Sequence, residues 1–259
     1  MSALPDRLPR EVVRALLELA ERSGRTGREW AASLCARDGR LFVGGACGGT
    51  ECSVSPPSCP PGSAQVGDAH THPDGCLAPS PGDLVAKMAA NLEDPGRRID
   101  CLSAPGERAV ACVALRRRPT EGEVARAATW LLEAETPDDL LRAPVDWRMF
   151  EGRLYGPSGE ALDEGSPEFR EAARRMARDA LAALEEDAVP VAEEVAEFRA
   201  RREGRPPEQA LREELEKLAS FACQVVSVFG PRAKDECSRE ARRWVERHLR
   251  GRSGRETAR

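Results

Sequence analysis

The stretch Gly67-Asp-Ala-His70-Thr-His72-Pro-Asp-Gly-Cys-Leu-Ala-Pro-Ser80-Pro-Gly-Asp83 concentrates the residue types that do metal chemistry. Residues two apart on a strand point to one face, so His70 and His72 at a strand end can offer both imidazoles to one ion. Ser80 is a favoured helix N-cap and Pro81 suits the first helical position. Asp83 then falls on the first turn, projecting toward that strand end. Two His and one carboxylate, with a fourth position left for water, form the donor set of an open catalytic zinc site. Plainer readings exist for each part. Ser80-x-x-Asp83 resembles a capping box with Asp in place of Glu or Gln, and an isolated His-x-His is more often a surface or core pair. Histidine occurs only at 70, 72 and 248, however, and two of the three sit at strand-end spacing just ahead of the cap. That concentration favours the metal, and cap and ligand roles can coexist in Asp83.

The elements that must position these residues are legible in outline. Residues 9–23 have the apolar stripe of an amphipathic helix, with Val12, Val13, Leu16, Leu17 and Ala20, and Gly24 follows. Short apolar segments at 29–36, 40–44, 64–70, 98–103 and 108–115 predict strands of a mixed sheet, interrupted by one helix at about 81–92. Asp38-Gly39 signals a hairpin between the first two. After Pro119 the period becomes helical: 121–134 reads as a helix and 145–156 as a short hairpin or connector. Stripes such as Phe169, Ala173, Met176, Ala177 and Leu211, Leu215, Leu218, Ala222 predict about four helices over 166–250, divided at Pro190, Pro206-Pro207 and Gly230-Pro231. The expected class is α/β (α+β): a domain over 1–117, a connector over 118–165, a helical bundle over 166–250 and a disordered tail over 251–259.

Composition bounds the function. The chain is 32% charged with a net charge of only -5, so no large basic field invites nucleic acid. No apolar run approaches the roughly 20 residues of a membrane helix, and MSALPDRLPR has no signal-peptide core, so no membrane association and a cytoplasmic location are expected. Nine cysteines are many for such a location. Cys47, Cys52, Cys59 and Cys76 flank the site without Cys-x-x-Cys spacing, which favours disulfides or buried thiols over a second metal. Cys35, Cys101, Cys112, Cys223 and Cys237 read as core residues, and His248 as a surface residue or a partner of its helix C-terminus.

At His70-Thr-His72 with Ser80-Pro-Gly-Asp83 the sequence resembles the JAMM metalloproteases, or MPN-plus domains, over about residues 5–117. Their motif is an upstream Glu, His-x-His, about seven residues, then Ser-x-x-Asp. The resemblance implies one zinc ion held by His70, His72 and Asp83, a Glu that deprotonates the zinc-bound water, and a Ser that stabilises the oxyanion, assigned here to Ser80. Glu29, opening the first predicted strand, stands at a fitting distance for the base, whereas Glu51 is too close to the His pair and Glu18 and Glu21 belong to the first helix. The implied activity is hydrolysis of a peptide or isopeptide bond at the C-terminus of a ubiquitin-like modifier or its conjugates. Two other functions are weighed. A dinuclear phosphoesterase or amidohydrolase would need more histidines than His248 supplies. A non-catalytic MPN scaffold would typically have lost ligands that are retained here. The helices beyond residue 117 lie outside the resemblance and could recruit substrate, dimerise or dock onto a complex.

Overall fold

Thr26 closes a first helix, α1 (Arg10–Thr26), because Gly27 behind it adopts the left-handed backbone (φ 63°) that ends helices without strain. The chain then alternates between strands and helices: β1 (Trp30–Arg37), β2 (Arg40–Gly48), β3 (Ala64–Thr71), α2 (Pro81–Glu93), β4 (Ile99–Ser103), β5 (Val110–Leu115), α3 (Glu121–Glu133) and α4 (Pro137–Leu141). It ends with β6 (Phe150–Tyr155), α5 (Pro167–Ala182), α6 (Ala188–Glu203), α7 (Pro207–Val226) and α8 (Pro231–Glu256). This computed structural model describes residues 4–50, 54–97 and 99–256, the side chains of 252–256 excepted. The protein is mixed α/β with a helical C-terminal region, as expected.

The strands form one sheet in the order β2-β1-β3-β4-β5-β6. Only β3 and β4 run parallel, joined by the crossover helix α2; the other pairs are antiparallel. Asp38 and Gly39 turn β1 into β2 with φ of 51° and 73°, the positive values a type I′ hairpin requires. The segment 145–156, expected as a hairpin or connector, instead contributes β6, which pairs along β5 as an edge strand. Its pattern was ambiguous because a single edge strand carries no turn signal of its own. Among the described residues no strand follows Tyr155. Helix α8 continues to Glu256, so the tail expected to be disordered is helical over 251–256; residues 257–259 lie outside the described residues.

Two cores divide the sheet by face. α1 packs Val12, Val13 and Leu16 against Ala32, Leu34 and Ala69 on one side. On the other, one apolar cluster runs from Leu84 and Met88 of α2 through Leu102 and Val113 of the sheet to Met176, Leu215 and Trp244 of the C-terminal helices. The two regions therefore share a core. The approach is close at Gly152 of β6, where a Cβ would lie 2.6 Å from the ring of Phe229.

The core cysteines are buried and also paired: Cys101–Cys112, directly opposed across β4 and β5, Cys223–Cys237 between α7 and α8, and Cys35–Cys59, which ties β1 to the segment before β3. Spacing did not reveal these pairs because each partner comes from a different element. Cys47 and Cys76 are free thiols, and Cys52 lies outside the described residues.

Candidate metal centre

β3 is flanked by β1 and β4, and register decides what surrounds His70 within it and His72 just past its end. Ala31 lies opposite His70 on one side, and Asp68↔Asp100 and His70↔Leu102 pair on the other. Directly paired residues share a face, so Asp68, His70 and Asp100 all project to the side covered by α2.

That helix starts where the sequence says it should. Ser80 Oγ accepts from the Asp83 amide at 3.1 Å, and Asp83 Oδ2 accepts from the Ser80 amide at 2.7 Å, a complete capping box. The same carboxylate reaches the histidines: Oδ1 is 3.2 Å from His70 Nε2, Oδ2 is 3.5 Å from His72 Nε2, and the two Nε2 atoms are 3.2 Å apart. Asp83 thus caps α2 while its carboxylate stays within reach of both histidines. Around a tetrahedral ion with bonds of about 2.0–2.1 Å, neighbouring ligand atoms lie about 3.3–3.4 Å apart. These three residues could therefore hold a metal ion; they are the group of that kind among the described residues, and His248 is elsewhere, its Nδ1 bonded to Trp244 O at 2.9 Å.

Electrostatics favour positive charge at this point. Burial pushes the Asp83 carboxyl up, but His70 and His72 more than reverse this and hold it well below the usual carboxylate range. Burial likewise opposes a charge on His70, yet Asp100 and Asp83 raise its pKa well above the ordinary value. A site that so favours a proton on an imidazole offers the same field to a cation.

Glu29 sits one residue before β1, its amide donating to Thr50 O at 2.8 Å and its carbonyl accepting from Gly49 N. Continuing the β1–β3 register two residues past Ala31↔His70 puts Glu29 across from His72, and Trp30 N donating to Thr71 Oγ1 holds the strands together there. Burial raises its pKa, while His70 and His72 pull it back. Glu51, the alternative base, lies outside the described residues. Cys76 is half-buried beside the site, and desolvation together with Asp179 pushes its thiol up to about 12 and leaves it a poor nucleophile.

Glu29, His70, His72, Ser80 and Asp83 all line one cavity of about 1010 Å³. Its near wall is the strand ends and α2; its far wall comes from the C-terminal region, with Ala180, Leu184, Phe221 and Val225. Two features here escaped the sequence reading. Asp100 lies 3.7 Å from His70 Nδ1, and the Cys76 carbonyl lies 3.0 Å from His72 Nδ1. An acid within the apolar strand 99–103 was the available signal for the first; a backbone carbonyl leaves none. Compared with known proteins, the chain matches no family model and no curated protein.

Proposed function

We propose that the protein is a zinc-dependent hydrolase of amide bonds, cutting a peptide or isopeptide bond at the C-terminus of a ubiquitin-like protein. The observation that carries this reading is the convergence of His70, His72 and Asp83, one ligand atom from each lying within 4.8 Å of the others, with Glu29 on the same cavity. When bound, zinc would polarise the scissile carbonyl and lower the pKa of water toward about 7. Glu29, its pKa raised by burial, would take the proton of the attacking water and deliver it to the leaving amine. The Ser80 hydroxyl accepts a backbone hydrogen bond as cap, which leaves its O–H to donate where charge develops on the carbonyl oxygen.

A cavity of about 1010 Å³, lined by α2 and the C-terminal helices, is large enough to take a stretch of polypeptide. The largely apolar far wall is expected to hold the chain that precedes the scissile bond, which gives the helical region a part in substrate binding. One ion is expected rather than two, since among the described residues one ligand group is present.

The test has two stages. Metal analysis of purified protein should return one zinc per chain, and a panel of ubiquitin-like proteins fused at their C-termini to a reporter should include one that is cut after its last residue. A metal-free protein that no cation stabilises would overturn the reading. Zinc uptake with no cleavage of any amide would leave a metal-bound scaffold instead.

A further inference from the structure

We infer that Asp100 is a positioning residue that orients His70 toward the metal; the inference rests on the metal reading above. Two acids stand side by side on the face under α2, Asp68 and Asp100, paired across β3 and β4. Asp68 is engaged by its own partners, Arg97 at 2.6 Å and Gln65 at 2.6 Å. Asp100 Oδ1 instead lies 3.7 Å from His70 Nδ1, an ion-pair contact longer than a hydrogen bond. With its side chain only 15% exposed, at a strand position facing a helix, an acid is expensive unless it has a partner. His70 supplies one.

The geometry follows from the two nitrogens of one ring. His70 Nε2 faces His72 and Asp83, so the lone pair that binds the ion must be there, and the proton must sit on Nδ1. A carboxylate accepting that N–H selects this tautomer, holds the ring plane and makes Nε2 a stronger donor. His72 has the same device with a neutral acceptor, its Nδ1 3.0 Å from the Cys76 carbonyl. The two ligands are therefore backed unequally: a backbone dipole behind His72 and a full charge behind His70. Lys87, buried on α2, donates to Ile99 O at 2.7 Å and lines the same cavity.

The test is zinc affinity of the full chain by competition with a chromophoric chelator, beside the visible spectrum of the cobalt(II) form and the melting of the metal-free protein. Asp100→Ala should bind zinc about 10–100-fold more weakly with an altered cobalt spectrum, and Asp100→Asn, which accepts the N–H without the charge, should fall between it and the wild type. Asp68→Asn, removing a neighbouring charge on the same face, should change affinity by no more than about two-fold. Undiminished affinity in Asp100→Ala, or an equal loss in Asp68→Asn, would overturn the role while leaving the metal site intact. If Asp100→Ala does not fold, Asp100→Asn decides, and wild-type affinity with a wild-type cobalt spectrum there overturns it. A wild type that takes up no zinc would remove the metal reading and this inference together.

Discussion

Two largely buried polar clusters in this protein compensate their charges in different ways. In the helical region Glu214 of α7, with none of its surface exposed, pairs with Arg199 of α6 at 2.7 Å and with Lys217 at 3.0 Å. Asp138 of α4 completes the group by pairing with Lys217 at 2.9 Å and with Arg199. Two cations meet two anions, and the charges balance inside the cluster. At the sheet, two imidazoles and the Asp83 carboxylate converge with Asp100 and Glu29 nearby, and among the described residues no guanidinium or ammonium is ion-paired to His70, His72 or Asp83. Buried charge needs compensation. The first cluster supplies its own and fastens three helices; the second brings together donor atoms that could hold a metal ion.

Substitutions should separate the two clusters by what is lost. Asp83→Ala should have the largest effect, removing stoichiometric zinc and with it turnover, because two ligands hold the ion poorly; metal analysis and the cleavage assay check both. Glu29→Gln should keep the zinc and lower kcat by about 10²–10⁴-fold, since the amide preserves shape without accepting a proton. A zinc-replete Glu29→Gln protein with near-normal turnover would exclude Glu29 as base. Ser80→Ala should cost about 10²–10³-fold in kcat if the hydroxyl serves the oxyanion, plus about 1 kcal/mol of stability from the lost cap. Denaturant midpoints and kcat measured on the same preparation separate these effects.

Glu214→Ala tests the balanced cluster. It should destabilise the fold by about 3 kcal/mol, the low end for a broken buried pair because Arg199 and Lys217 keep some exposure. Zinc stoichiometry of the folded protein should be unchanged; if it fell, the two clusters would not be independent.

The smallest effect is a pH dependence. Burial raises Asp179 of α5 to about 6, with the Leu77 amide opposing and Glu107 and Asp74 adding. Its pKa is higher in the folded state, so its favourable contribution is present below its unfolded value near 3.8 and is lost as pH rises through about 6. Asp179→Asn should therefore stabilise the protein at pH 7.5 by about 1 kcal/mol, after discounting for partial solvent screening, and change little at pH 4. Urea midpoints at the two pH values measure it, and an equal gain at both would refute the linkage.

Much of the candidate site was legible before any tertiary information. His70, His72, Ser80 and Asp83 lie within fourteen consecutive residues, and their relations are local: a strand's period of two and a cap closing from N-cap to the third residue. The helices α5 and α7 were equally readable, since each stripe lies within one element. What stayed hidden was non-local. β6 joined the sheet on the strength of β5's unpaired edge, and Cys101 found Cys112 only through the β4–β5 register.

The sequence by itself determined the candidate ligand set, the capped helix that presents Asp83 and the succession of strands and helices, because short-range sterics and hydrogen bonding act within a few residues. The tertiary structure alone decided that Glu29 comes across from His72, that Asp100 rather than Asp68 faces His70, and that C-terminal helices wall the cavity. Those placements depend on strand register and on which apolar faces are buried together, quantities set by the packing of the whole chain rather than by any window of it.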